Sequence, residues 1–290
     1  MLNHTILSFK EISFATVSNG NNPSEKTEDQ LAIAFKENPE LSETYDEIVI
    51  LHENNLSTFV PTALFDEQYL GSYLQFNTKV FESDFFTYDE VSIYQMNNVY
   101  IPYVNINNFF IDAFGKFTSK HANTILVSKL LDLSKNVDEK KMFVHVSKNH
   151  FEIVVVQNQK LLLFNTFEYK TPEDLIYYIL FAAEQLNLNP EFFKLEFLGS
   201  IAEDDAYFKI AYKYIRNVSL FDVSDLQKNN SFSTADNLKH FILFQSWESY
   251  PANTKGDAFR LQKTFPFGQQ PIWARKPCST FWETILILMD

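Results

Sequence analysis

The chain has 290 residues, 46% of them hydrophobic, which is enough for two domains with substantial apolar cores. Its 24 Lys and Arg against 37 Asp and Glu give a net charge of −13, which disfavours a nucleic-acid backbone as the main partner. The longest apolar runs are too short to cross a bilayer, the first residues lack the pattern of a signal peptide, and a single cysteine excludes an internal disulfide. We therefore expect a cytoplasmic protein without direct contacts to nucleic acid or membrane.

The first half of the chain, residues 1–138, is predicted to form one domain. Two short segments with the alternating pattern of strands, 5–9 and 12–17, are separated by a tight turn at Lys10-Glu11. A second strand pair, 91–96 and 99–103, is predicted to turn at Asn97-Asn98. The remaining predicted elements are helices within 24–37 and at 65–73, 107–114 and 122–133, and a buried strand at 47–51.

A polar, charged stretch at 136–141 predicts a boundary, and residues 139–246 are predicted to form a second domain. It begins with three strands joined by tight turns and continues with alternating helices and strands. Thr171-Pro172 followed by acidic residues is typical of a helix start. The predicted strands are 143–146, 151–156, 160–164, 195–198 and 218–221, the predicted helices begin at 172 and at 206, and 241–244 is predicted to be a last strand or the end of a helix. A three-stranded meander followed by helical crossovers is typical of a ribonuclease-H-like unit.

The C-terminal residues 247–290 differ in composition from the rest of the chain, because they hold all its tryptophans, its cysteine and two of its arginines. These residues are Trp247, Trp273, Trp282, Cys278, Arg260 and Arg275. A packed domain does not usually sort its residue types in this way. We therefore predict an atypical, poorly ordered tail and base the fold on residues 1–246, whose net charge is −14.

Several segments along residues 2–245 resemble, in the right order, a bacterial family known as domain of unknown function 3822. They are 98–102 (NVYIP), 114–117 (FGKF), 120–126 (KHANTIL), 151–167 and 211–217 (AYKYIRN). The resemblance implies a cytoplasmic bacterial protein with an actin-like ATPase fold, but no activity. Together with the order of the elements, it predicts mixed α/β sheets in two tandem ribonuclease-H-like units in an actin-like ATPase arrangement.

An actin-like ATPase grips the phosphates of ATP with the first turn of each domain, which requires Gly for close backbone approach and Asp to position the metal and the water. The corresponding turns here, 9–12 and 147–150, contain neither residue. Two lysines in these turns could still contact an anion, and a glycine after the fourth strand of the second domain could contact adenosine. We therefore predict a degenerate nucleotide cleft formed by Lys10, Lys148, Asn149, Gly199 and Ser200, with ordinary turn residues as the alternative interpretation.

No catalytic or metal-binding set is predicted. A ribonuclease-H nuclease needs carboxylates on its first and fourth strands, and residues 143–146 contain none, although Glu152 and Glu196 lie near. His145 and His150 lack a third convergent ligand and are interpreted as ordinary strand and turn histidines. The first hypothesis is thus a non-catalytic interaction or scaffold protein that binds other proteins, with no cofactor expected and the oligomeric state left open.

Two other functions stay open at this point. The first is an enzyme or regulator that binds ATP and Mg²⁺ in the cleft between the two domains. The second is a factor associated with ribosomal RNA modification, which depends only on the tail.

We predict that residues 247–290 are an out-of-frame translation of a neighbouring gene. In the frame that starts at the third base of each codon, one allowed reading of this segment resembles the N-terminus of a 16S rRNA guanine methyltransferase, and Trp273-Ala274 and Trp282-Glu283 both force Gly in that frame. Sequencing the coding DNA decides the question. The hypothesis fails if the shifted frame does not encode such a methyltransferase.

Overall fold

The computed structural model describes residues 10–11, 27–45, 48–81, 83–228, 230–246, 270–275 and 284–289, with side chains described only between 27 and 246. The predicted strands at 5–9 and 12–17 lie outside these residues. Up to residue 133 the elements are β1 (Lys10–Glu11), α1 (Thr27–Glu37), β2 (Ile48–His52), β3 (Ser57–Pro61), α2 (Leu70–Leu74), β4 (Thr87–Val91), β5 (Met96–Tyr100), α3 (Val104–Phe114), β6 (Thr118–His121) and α4 (Ala122–Leu133).

The rest of the chain continues with a larger sheet and its helices. These elements are β7 (Lys141–Val146), β8 (His150–Gln157), β9 (Lys160–Glu168), α5 (Pro172–Gln185), β10 (Lys194–Gly199), α6 (Ala206–Tyr214), β11 (Asn217–Leu220), α7 (Ser224–Gln227), α8 (Thr234–Lys239), α9 (Phe241–Ser246), β12 (Gln270–Arg275) and β13 (Thr284–Met289). No helix in the described part of the chain is long and apolar enough to cross a membrane.

The sheet that contains the N-terminal segment has the order β1-β13-β12-β2-β6, with β2 parallel to β6 and antiparallel to β12. Lys10 and Glu11 do not form the predicted turn, because their backbones are extended and pair with Ile287 and Leu288. The tail, for which poor order was predicted, supplies the strands β12 and β13. The predicted poor order of the tail and its origin both stay predictions.

The second strand pair of the first half is displaced from its predicted position. β3, β5 and β4 form a small antiparallel sheet, and the turn between β4 and β5 is a 3-10 turn at Ser92–Tyr94 followed by Gln95 in the left-handed conformation. Asn97 and Asn98, which were predicted to form the turn, lie buried inside β5. Asn98 is accommodated there because its amide donates to the Thr124 hydroxyl (2.9 Å).

The order of elements predicted for 139–246 agrees with the structure. Strands β7, β8 and β9 form an antiparallel meander, β10 and β11 add in parallel on the other side of β7, and the sheet order is β11-β10-β7-β8-β9. Thr171 and Asp174 form a capping box at the start of α5, so the sequence signal for this helix is confirmed. The segment at 241–244 belongs to a helix, α9.

Helix α4 joins the two halves of the chain through one apolar core. Its side chains Ile125, Leu126 and Leu130 are fully or almost fully buried and pack in a cluster with residues of β2, β7, β8, β10 and α9. A second cluster lies on the opposite face of the larger sheet, under α5 and α6. The apolar core therefore continues past residue 138, and the domain boundary predicted there stays a prediction.

Gly199 ends β10 at a place where two backbones meet. Its φ is +85°, and a Cβ built on it would lie 2.3 Å from the carbonyl oxygen of Val146, at the end of the parallel strand β7. Gly115, at the end of α3, also has a positive φ of +73°, but a Cβ there would meet nothing within 4 Å. A comparison of the two glycines therefore separates the cost of a positive φ from the cost of a clash between a Cβ and the neighbouring backbone.

We predict that Gly199→Ala lowers the free energy of unfolding by about 3 kcal/mol or more, because it combines an unfavourable φ with a clash against backbone. Gly115→Ala is the matched control and should cost only about 1 kcal/mol, since it changes φ preference alone. Urea denaturation of both variants measures the difference. Equal losses would show that the contact with Val146 is not what requires a glycine at position 199.

Candidate functional site

The second predicted phosphate turn and the predicted adenosine loop come together in the structure. The turn joins β7 to β8, where the Ser147 N–H donates to the His150 carbonyl (2.9 Å). Ser200 N–H donates to the Val146 carbonyl (2.7 Å), which holds the end of β10 against the end of β7. Both segments lie at the carboxyl ends of parallel strands, the usual position of a ligand site in an open α/β sheet.

The other three predicted cleft residues are Lys148, Asn149 and Lys10. Lys148 and Asn149 are exposed at the tip of the turn. Lys10 belongs to β1 in the other sheet, and its surroundings at 12–26 lie outside the described residues. Gly199 itself is buried by its contact with Val146. The structure thus brings Gly199 and Ser200 to the turn at 147–150, whereas the side chain of Lys10 lies outside the described side chains.

Behind the turn lies a buried ionic cluster. His145 on β7 and Glu152 on β8 are cross-strand partners, and His145 Nδ1 lies 2.9 Å from Glu152 Oε2. His150 Nε2 lies 3.2 Å from the other carboxylate oxygen, Oε1, in ionic contact but without the alignment of a hydrogen bond. All three residues are almost completely buried. One carboxylate is therefore shared by two imidazoles away from water.

The buried charges stabilise one another. Burial disfavours the charged form of Glu152, but His150 and His145 outweigh it and hold the pKa of this carboxyl below its ordinary value. Burial likewise opposes the charge of His150, yet the carboxylates of Glu152 and Glu53 raise the pKa of His150 above its ordinary value of 6.5. The cluster therefore contains a carboxylate and an imidazolium that depend on each other.

Glu53 connects this cluster to the other half of the chain. It follows β2, and its Oε1 accepts from the Ser147 hydroxyl (2.8 Å) and lies 4.0 Å from His150 Nε2. Burial raises the pKa of Glu53. We name Glu53, His145, Ser147, His150 and Glu152 the Glu152 cluster. It occupies the position behind the turn where the sequence predicted a phosphate contact.

Little space is left at this junction. A cavity of about 30 Å³ lies between the end of β7, Ser200 and the C-terminal helices, lined among others by Glu53, His145, Ser147 and His240. A volume of this size holds about one or two waters, whereas ligand pockets are typically about 300–1,000 Å³. Among the described residues, this cavity therefore has room for water but not for a nucleotide.

A second buried polar network lies at the start of α4. Asp89 Oδ2 accepts from the His121 N–H (2.8 Å) and the Thr124 hydroxyl (2.6 Å), and burial raises the pKa of Asp89 to about 6. His121 Nδ1 accepts from the Asn123 N–H (3.1 Å), while its Nε2 faces Asn54 Oδ1 (3.3 Å). The ring is therefore neutral with its proton on Nε2, and burial lowers the pKa of His121 to about 3. These bonds tie β4 and the loop after β2 to α4.

Within the described part of the chain, no group of three or more His, Cys, Asp or Glu side chains is arranged to hold a metal ion. The sequence interpretation took His145 and His150 as ordinary residues and gave Glu53 no role. A usable signal was present, because Glu152 and His145 are ionisable residues within strands that are otherwise apolar. Such residues are rarely buried unless they are paired.

A family model described as "Protein of unknown function (DUF3822)" matches residues 2–218. The chain belongs to this family. It matches no curated protein. The family resemblance inferred from the short segments is thereby confirmed, and the family description states no activity.

One solved structure establishes the fold. A Bacteroides thetaiotaomicron protein with actin-like ATPase fold and unknown function superposes with a TM-score of 0.65 at 22% identity, covering 76% of this chain and 81% of that one. Weaker similarities are a PilM–PilN type IV pilus biogenesis complex (TM-score 0.41, 10% identity, 67% and 76% covered) and an AlfA filament bound to AMPPNP (TM-score 0.27, 14% identity, 50% and 57% covered). The chain is a mixed α/β protein with an actin-like ATPase fold.

We predict that His150→Gln lowers the free energy of unfolding by about 3–5 kcal/mol, because it leaves the Glu152 charge buried with one partner fewer. The double variant His150→Gln/Glu152→Gln should lose less, since no unpaired charge remains. Urea denaturation measures both. If His150→Gln is as stable as the double variant, the Glu152 charge does not depend on pairing with His150, and the prediction is wrong.

The contribution of His150 should also depend on pH. A histidine whose pKa is raised by folding stabilises fully below its ordinary value of 6.5, and this contribution disappears as the pH rises through the folded-state pKa. The stability difference between wild type and His150→Gln should therefore shrink as the pH rises above 6.5. A difference that stays constant up to pH 10 would exclude a charged His150.

Proposed function

We propose that this protein is a non-catalytic, cytoplasmic interaction protein with an actin-like fold whose nucleotide cleft is closed by its own side chains. The observation that carries the proposal is the contact between Glu53 and Ser147 (2.8 Å), which places a side chain from one half of the chain on the turn of the other. An actin-like ATPase would use this turn to bind phosphate.

Electrostatics support the proposal. Phosphate sites in proteins combine free backbone N–H groups with positive charge. Here the N–H of Ser147 is already bonded to His150, and Glu53 adds a carboxyl group at the same turn. The His150 charge is directed toward Glu152 and Glu53. A triphosphate would have to break these contacts and displace a carboxyl group.

The available space supports the same conclusion. The cavity at the junction, about 30 Å³, is smaller than a nucleotide by an order of magnitude. Lys148 is exposed, so it would have to act at the surface rather than in a closed site. Nucleotide binding would therefore require the two halves of the chain to separate and the Glu152 cluster to dissolve.

We predict that ATP with Mg²⁺ leaves the melting temperature of the protein unchanged. A ligand at 100 times its Kd adds about 2.7 kcal/mol to the stability of the native state, which differential scanning fluorimetry detects readily. Lys148→Ala is the control variant. A clear upward shift in the wild type that this variant abolishes would overturn the proposal and favour an ATP-binding enzyme or regulator that uses the cleft.

A further inference from the structure

A groove runs along the outer edge of the larger sheet. It has a volume of about 470 Å³ and is lined on one side by residues 159–164, at the start of β9, and on the other by β3 and the turn before β5. Side chains of a strand alternate between its two faces, so six consecutive residues can line one groove only if the groove follows the strand edge. We call this feature the β9 groove.

The edge of β9 is open along the same stretch. Among the described strands, β9 pairs only with β8, and β3 likewise pairs only with β5. At the far end, the Thr166 N–H is taken by the Asn165 side chain (3.0 Å), so the open part of the edge coincides with the lining of the groove. An open strand edge next to a groove matches the recognition mode in which an extended peptide adds to a sheet.

The floor and one end of the groove are built from packed side chains. Phe59 on β3 contacts Phe164 on β9 edge to face, with ring centroids 4.8 Å apart. At one end, the Tyr94 hydroxyl donates to Asp132 and accepts from the Gln159 amide (3.4 Å). The Asp132 carboxylate beside Tyr94 is therefore already bonded within the protein.

Lys160 is the one charged residue among the described residues that line the groove. It is exposed at the start of β9 and forms no ion pair with the residues whose side chains are described. Although the chain is acidic overall, charges are screened beyond about 8 Å at physiological ionic strength, so the local lysine decides which charge is favoured here. The groove is therefore lined by apolar side chains together with the uncharged polar residues Thr58, Gln95 and Gln159, with a cation at one end.

The edge is less suitable for a second copy of the chain. Between Val155 and Val156 the register of β8 and β9 shifts, so that Leu162 is the extra residue of a bulge. Bulges and edge lysines are the features that discourage long, sheet-to-sheet pairing. A short segment can pair on one side of the bulge, whereas a nine-residue strand of another sheet cannot stay in register.

We propose that the β9 groove binds a short, extended segment of a partner protein, with alternating apolar side chains and a carboxylate that meets Lys160. This proposal rests on the proposed interaction function and names its surface. Backbone hydrogen bonds to β9 supply affinity, and contacts with Phe59, Phe164 and Lys160 supply selectivity.

Selection of a displayed library of random ten-residue peptides against the full chain tests the proposal. The enriched peptides should carry alternating apolar residues and an Asp or Glu at one end. Lys160→Glu should weaken them about tenfold, because an attraction becomes a repulsion, and a parallel selection on this variant should favour Lys or Arg at that end. Lys209→Glu, an exposed charge reversal on α6, is the matched control and should have no effect.

Hydrogen exchange provides the second measurement. A bound peptide should slow amide exchange within residues 160–164, on one side of the bulge at Leu162, and not at the tip of the turn at 148–149. Three results would overturn the proposed binding of a segment in the β9 groove: enrichment of helical or uncharged peptides, binding that Lys160→Glu leaves unchanged, and protection outside the groove. Self-association of the chain through β9 would also overturn it. An ATP-induced thermal shift would overturn the closed cleft instead, so the two failures are distinguishable.

Discussion

The carboxylate of Glu152 is the constraint on which the junction between the two halves of the chain depends. It is buried, so it must be paired, and its two oxygens face His145 and His150. His150 in turn faces Glu53 from the other half, and Glu53 accepts from Ser147. Because each member is costly to bury without its neighbours, these contacts favour the relative position of the halves that the structure shows.

The apolar packing reinforces this position. Helix α4 lies in the same cluster as residues of β8 and α9, so the helix of the first half forms part of the core under the second sheet. At its start, His121, Thr124 and Asp89 tie α4 to β4, and Asn54 ties it to the loop that carries Glu53. The loop after β2 therefore contacts both the ionic cluster and the start of α4.

The sequence predicted the second half better than the first, for a physical reason. In the larger sheet the strands are consecutive, their turns are short, and the α5 start carries its own cap, so local patterns determine the structure. In the first half, β6 has only four residues, which is too short for a clear alternating pattern. Strand β5 contains two buried asparagines, a residue type that locally favours a turn. Their positions depend on long-range bonds, such as that of Asn98 to Thr124, which no local pattern reveals. Glu53 could not be predicted either, because its place in the Glu152 cluster depends on a contact with Ser147, which is distant in the sequence.

The closed cleft that we propose would remove the surface with which an actin-like ATPase binds its ligand, so selective recognition would use another surface. The edge of β9 is the surface that we propose, because among the described strands it pairs only with β8 while its side chains are packed into the cores on both faces. The proposed closed junction would also favour recognition there. A rigid arrangement of β3 against β9 keeps the two walls of the groove at a fixed separation, and a preformed groove binds an extended segment with less ordering of the protein than a mobile one would require. On this proposal, the Glu152 cluster supports peptide binding in the β9 groove indirectly, because it fixes the relative position of the two groove walls.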